Sequence, residues 1–268
     1  MATKVRKEAI SPDGSMTLMG HLKEFRNRLI ICAAVFLVTC AIALGFAGNL
    51  VSALADLGLR YNYTFVTLSP QEQLIQYFKI ALLAALVVSV PVIMYHIWAF
   101  AKPGLKKKET TFFGMVMFLG VVLFCIGVAF AYFVTLPFML NFLITLEGAS
   151  FITNQTSLES YLNFIVMIFT IFGCVFEMPL VTVILSKMGI ANPTIMRKGR
   201  SIALIIMFLI AALITPPDIV SQMMVGFPMV LLYEISILLS QLTYRKKTDD
   251  DEDDDDLFED EDEEDDED

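Results

Sequence analysis

"LIICAAVFLVTCAIALGFAGNLVSALA", residues 29–55, runs for 27 residues without a charge. A helix needs about 20 mostly apolar residues to cross the hydrocarbon of a bilayer. This stretch is therefore long enough to span, and it predicts a membrane protein. The rest of the chain agrees. Of its 268 residues 56% are apolar, and the mean hydropathy is +0.68. That is too apolar for a soluble domain of this length.

Working outward, Ile80 to Ala101 predicts a second span, with Pro91 inside it as a kink. Thr110 to Leu146 is uncharged for 37 residues, more than one crossing needs. Pro137 would end the third span, leaving Phe138 to Leu146 along the surface. Tyr161 to Ser186 gives a fourth span, interrupted by Glu177. Ser201 to Thr215 gives a fifth, and Ile219 to about Leu242 a sixth with Glu234 inside it. The fifth has 15 residues, a reach of roughly 22 Å at 1.5 Å each against a hydrocarbon core of about 30 Å. The charge-free part of the sixth, Ile219 to Tyr233, is equally short. Two such neighbours would thin the bilayer locally or sit in a protein cleft.

Lys and Arg set the orientation. Of the 19, 17 fall before span 1, after spans 2 and 4, or after span 6, and only Arg60 and Lys79 fall on the other side. The expectation is an all-α integral membrane protein of six spans with both termini in the cytoplasm. Its parts are a cytoplasmic segment 1–28, a transmembrane domain 29–244 and an acidic tail 245–268. The net charge of −10 comes from that tail, since Asp249 to Asp268 hold 18 acids and no base while residues 1–248 sum to +8. The tail cannot bury a core and is expected to be disordered. No cleavable signal peptide is apparent, because the first apolar run starts only at Leu29. The cysteines, Cys32, Cys40, Cys125 and Cys174, all lie in apolar runs and read as small apolar side chains.

Two helix starts are legible in the loops. In "SPQE", Ser69 to Glu72, Ser69 caps, Pro70 takes the first position and Glu72 closes a capping box. Asn192-Pro193 does the same for a helix leading to span 5. Three carboxylates then stand out. Glu24 sits among Lys23, Arg26 and Arg28 in "HLKEFRNRL", and Glu109 follows Lys106, Lys107 and Lys108. Local pairing is one explanation, since Glu24 and Arg28 are neighbours at i,i+4 on a helix. The third, Glu177, lies ten residues before Lys187, about 15 Å deep on a helical rise. An ionised acid there costs on the order of 3 kcal/mol, so it should face protein or a wet cavity.

Enzyme signatures are lacking. The chain has two histidines, His21 and His96, and no G-x-S-x-G, H-E-x-x-H or phosphate-cradling loop. Ser89, Ser221 and Ser236 have no obvious His partner for an intramembrane protease. A secondary transporter or ion channel using Glu177 is the rival class, but the spans offer it few other polar groups.

Five stretches in order, "HLKEFRNRL", "YHIWAFAKPGLKKKE", "AYFVTLPF", "FGCVFEMPL" and "TPPDIVSQ", together resemble the TatC family, the signal-peptide receptor subunit of the twin-arginine protein translocase. The resemblance covers nearly all of residues 15–245. It implies a glove-shaped six-helix bundle that binds paired-arginine signal peptides of folded proteins and organises their export, driven by the proton motive force, across the cytoplasmic membrane. It implies no cofactor, metal or nucleotide. By the same resemblance Glu24 and Glu109 engage the twin arginines, Arg26 belongs to the same N-terminal motif, and Phe100 and Pro103 frame the site. Lys102 stands where other members often carry a small or apolar residue. Glu177 is the polar residue inside the concave bundle. Thr215, Asp218 and Gln222 are the cluster where the single-span partners TatA and TatB dock.

Overall fold

The computed structural model describes residues 18–102, 107–146, 155–187, 189, 191–215 and 218–244. The backbone of Lys107 to Glu109 is included, but not their side chains. Pro103 and the acidic tail lie outside the described residues. Helices dominate: α1 (Leu18–Gly45), α2 (Ala47–Leu59), α3 (Pro70–Ala101), α4 (Lys107–Phe130), α5 (Leu136–Leu146), α6 (Leu158–Phe176), α7 (Met178–Lys187), α8 (Pro193–Lys198), α9 (Arg200–Ile214) and α10 (Ile219–Thr243). Two three-residue strands, β1 (Thr64–Val66) and β2 (Gln155–Ser157), pair in parallel and tie the loop after α2 to the start of α6.

Among the described residues, five helical stretches are long and apolar enough to cross a membrane: Met19–Gly45, Pro70–Ala101, Thr110–Thr145, Leu158–Lys187 and Ile219–Thr243. Arg200–Leu213 is apolar but shorter. With 15 residues, α9 reaches roughly 22 Å. By contrast α10 runs 25 residues, because its helix continues past Glu234 beyond the short charge-free part.

The first helix starts earlier than its apolar run. Residues 18–28 are already helical, since Lys, Glu, Arg and Leu all favour helix. It bends off after Gly45, and α2 packs separately onto α3 and α6. Gly58 marks the closest approach there: a Cβ on it would come within 2.6 Å of the Phe65 ring and 2.9 Å of the Tyr161 hydroxyl. The third span does not stop at Pro137. Residues Ala131–Thr135 form a π turn in which the Leu136 amide donates to the Ala131 carbonyl. That wider turn shifts the ladder just before the proline, whose missing N–H would otherwise interrupt it. Leu136, Met139 and Leu140 are then fully buried in the core, so this segment packs inside the bundle.

Pro179 has the opposite effect in the fourth span. It removes the donor that would serve the Val175 carbonyl, and the helix breaks into α6 and α7 at Glu177. The core itself is built from α6, with Leu162, Ile165, Ile168 and Phe172 at 0% exposure, against α4, α5 and α10. Glycines let the helices approach, and a Cβ on Gly127 would sit 2.8 Å from the Phe172 carbonyl oxygen. Small residues at such crossings are how helices pack tightly in lipid, where no hydrophobic difference drives them together.

The caps follow the sequence in part. Asn192 Oδ1 accepts from the Thr194 amide at 2.8 Å. At the start of α3 the proline sits first as expected, but Ser69 makes no side-chain cap. Instead Glu72 reaches back one residue further, to the Leu68 amide at 3.0 Å. Asn192→Ala should lower stability by about 1 kcal/mol, read as a fall in the thermal midpoint in detergent. An unchanged midpoint would mean that the cap on α8 contributes nothing.

Candidate functional site

Glu24 lies half-buried on α1, one helical turn before Arg28. Arg28 Nε donates to Glu24 Oε1 at 3.0 Å, and its Nη2 donates to the same oxygen. The i,i+4 pairing expected from spacing is therefore present. It engages only one oxygen: Glu24 Oε2 is shielded from solvent and has no hydrogen-bond partner among the described residues. A carboxylate can accept on both oxygens and from a planar guanidinium does so in a fork. Glu24 thus keeps accepting capacity that its own helix does not use.

The end of α3 packs beside it. The Phe100 ring stacks on His21 at 4.2 Å between centroids and lies 5.3 Å from Phe25. Trp98, two residues earlier, donates from Nε1 to the Thr110 carbonyl at 3.2 Å. Gly114 gives that indole its room, since a Cβ there would lie 3.2 Å from Nε1. Thr110 follows Glu109, so the segments bearing Glu24 and Glu109 are both attached to the last turn of α3. Lys102 turns back over the Trp98 ring at 5.1 Å, a cation–π contact. Arg26 is exposed on α1. The contribution of His21 and Phe25 was missed in the sequence, although their i,i+4 spacing puts them on one face.

Glu177 sits at the break between α6 and α7. Both of its carboxylate oxygens are buried and unpartnered among the described residues. It faces α4, where a Cβ on Gly120 would come within 3.3 Å of Oε2. Glu234, the other carboxylate inside a span, is different. Arg200 Nη2 donates to its Oε2 at 2.5 Å, and the adjacent Tyr233 hydroxyl donates to the Met196 carbonyl at 2.9 Å. This residue ties α10 to α9 and is not a second free acid at depth.

The predicted docking cluster comes together where α9 passes into α10. Thr215 is buried and donates to the Ala211 carbonyl at 3.0 Å. Asp218 accepts from the Ser221 amide at 2.6 Å, capping α10. Gln222 donates to the Phe208 carbonyl at 3.0 Å. Each side chain therefore has a local structural job. Gln222 also borders an apolar cavity of about 400 Å³ on α9, lined by Leu204, Phe208 and Ala212. A second cavity, of about 430 Å³, lies between α6 and α9 and is lined by Ile171, Cys174, Met178 and Met207. Its walls give no polar route to a solute. No cluster of three or more His, Cys, Asp or Glu fit to hold a metal occurs among the described residues.

Long apolar helices, a basic end carrying a half-used carboxylate, and one unpaired acid at depth among the described residues define a multi-pass membrane protein. Residues 20–228 match the model of the Sec-independent protein translocase protein TatC. The TatC of Aquifex aeolicus is 37% identical over 235 residues, 87% of this chain and 98% of that one. The TatC of Halothiobacillus neapolitanus is 35% identical over 90% of this chain, which spans 66% of that longer relative. A crystal structure of the twin-arginine translocase receptor TatC superposes with a TM-score of 0.73, at 37% identity over 84% of this chain and all of that one. The chain belongs to the TatC family. It is a component of a protein translocase and not an enzyme.

Proposed function

We propose that Glu24 and Glu109 receive the paired arginines of a signal peptide at the cytoplasmic end of this chain, with Phe100 and Pro103 framing the site and Arg26 beside it. The observation that carries this is the free, shielded Glu24 Oε2, already turned to accept while Arg28 occupies Oε1. A second guanidinium can bond there without first displacing the helix's own. Lysine cannot copy the fork, because its ammonium is a compact point charge. The cationic neighbours disfavour a merely basic peptide, so recognition rests on geometry. The distribution of Lys and Arg supports both termini in the cytoplasm, and membership of the TatC family supports the inner membrane as location. Passengers are then moved by the proton motive force with single-span partners of the TatA and TatB kind. Those partners dock at Thr215, Asp218 and Gln222, beside the apolar cavity on α9, and Glu177 serves the interior of the bundle.

The test is equilibrium binding of a signal peptide to the full-length protein. Changing the arginine pair to lysines should weaken binding at least about tenfold, the worth of losing one charge-assisted hydrogen bond. Equal affinity for the two peptides would reject the assignment. The rival transporter class loses support, since Glu234 is engaged by Arg200 and, among the described residues, Glu177 is the one unpaired acid left at depth.

A further inference from the structure

The helix ends at the basic end form a connected rim. His21 of α1 touches Phe100 of α3, and Trp98 of α3 bonds to Thr110 of α4. Lys187 of α7 lies 5.6 Å over the Phe112 ring of α4. Ser186 of α7 donates to Ser240 of α10 at 2.7 Å, and Asn192 at the start of α8 reaches the Tyr244 hydroxyl at 3.5 Å. A segment leaving at Tyr244 can therefore follow the rim, helix by helix, round to α1.

That rim is cationic and largely uncompensated. Lys23, Arg26, Lys102, Arg197 and Lys198 are exposed on it. None of them takes part in an ion pair among the described residues, where Glu24 and Glu234 are held by Arg28 and Arg200. The described chain ends at Tyr244, beside α8, whose last turn carries Arg197 and Lys198. The 24 residues that follow hold 18 carboxylates. At roughly 3.3 Å per residue they can extend up to about 80 Å, several times the ~10 Å width of a helix. We propose that the acidic segment Asp249 to Asp268 lies on the cationic rim of its own chain, starting at Arg197 and Lys198 and reaching Lys102, Lys23 and Arg26.

The charges decide the direction of this contact. Residues 1–248 sum to +8 and the tail to −18, so the tail more than neutralises the rim when laid on it. Such association releases counterions and is screened by salt. The inference goes beyond the receptor assignment and does not need it, because the tail would dock whether or not Glu24 receives a peptide.

The full-length protein in bilayer discs of phosphatidylethanolamine and phosphatidylglycerol, mixed equally from light and heavy isotope preparations, provides the test. A zero-length carbodiimide reagent joins carboxylates to lysine amines that touch, and mass spectrometry locates the joins. Tail carboxylates should join to Lys23 and Lys102 within single copies, with a yield that falls at least about tenfold between ~0.05 and ~0.5 M salt as screening shortens the range. Joins confined to Lys246, Lys247 and Lys198 would overturn the proposal, because those lie next to the exit in any case. So would joins between light and heavy copies, lipid alone covering the rim with no joins, or a yield indifferent to salt.

Discussion

Glu24→Gln should weaken binding of an arginine-pair signal peptide to the full-length protein by about 30-fold or more, the equivalent of ~2 kcal/mol for truncating one partner of a hydrogen-bonded charge pair. Glutamine keeps the shape of glutamate and one accepting oxygen but loses the charge and the second acceptor. The free Oε2 and the Arg28-bound Oε1 both change character at once. Arg28→Gln separates the two. It removes only the intrahelical pair, worth a few tenths of a kcal/mol, and should alter peptide affinity no more than about threefold. Glu109→Gln should match Glu24→Gln. If a fluorescent-peptide titration gave wild-type affinity for both glutamate variants, the proposed site would be lost. If Arg28→Gln fell as far as Glu24→Gln, the ion pair itself, and not the spare oxygen, would be the functional element.

The spans were legible because hydropathy along the chain is a one-dimensional property, and a charge-free run of sufficient length has few other uses. What escaped depended on partners far away in sequence. Glu234 looked like an acid stranded in a span, but its partner Arg200 lies 34 residues earlier on another helix. Pro137 looked like a terminus, and the π turn that accommodates it is a backbone adjustment no residue type announces. Asp218 was read only through the resemblance, as part of a docking cluster. Its local role was available in "DIVS", an acid three residues before the amide it caps. Glu24 was visible as the one acid in a basic stretch, and its bond to Arg28 followed from helical spacing. Its unpaired second oxygen and the His21–Phe100 stack could not be foreseen, because they depend on the register of α1 against α3. The Thr39–Ser89 hydroxyl contact of 3.0 Å fixes part of that register.

Gly127→Ala should destabilise the protein by about 1–3 kcal/mol, the usual cost of an added methyl group in a filled core. The new Cβ would stand 2.8 Å from the Phe172 carbonyl oxygen and 2.8 Å from the Phe176 Cβ. The first obstacle is backbone, held by the ladder of α6, so it cannot rotate away as a long side chain would. Relief requires α4 and α6 to part, which opens the ring contacts of Phe130 with Phe172 and Phe176, at 5.4 and 5.8 Å. Gly48→Ala is the matched control. Nothing lies within 4 Å of its added methyl, and alanine in place of helical glycine gains up to about 1 kcal/mol. The same chemical change should therefore lower the thermal midpoint in detergent at one site and leave or raise it at the other. A Gly127→Ala protein as stable as wild type would contradict the α4–α6 packing. The effect should also reach the acid at depth: Glu177 follows Phe176 directly and faces Gly120 on α4, so separating these helices moves the one unpaired intramembrane carboxylate among the described residues. Passenger export should then drop in Gly127→Ala cells even where the protein is present at normal abundance, and remain normal in Gly48→Ala.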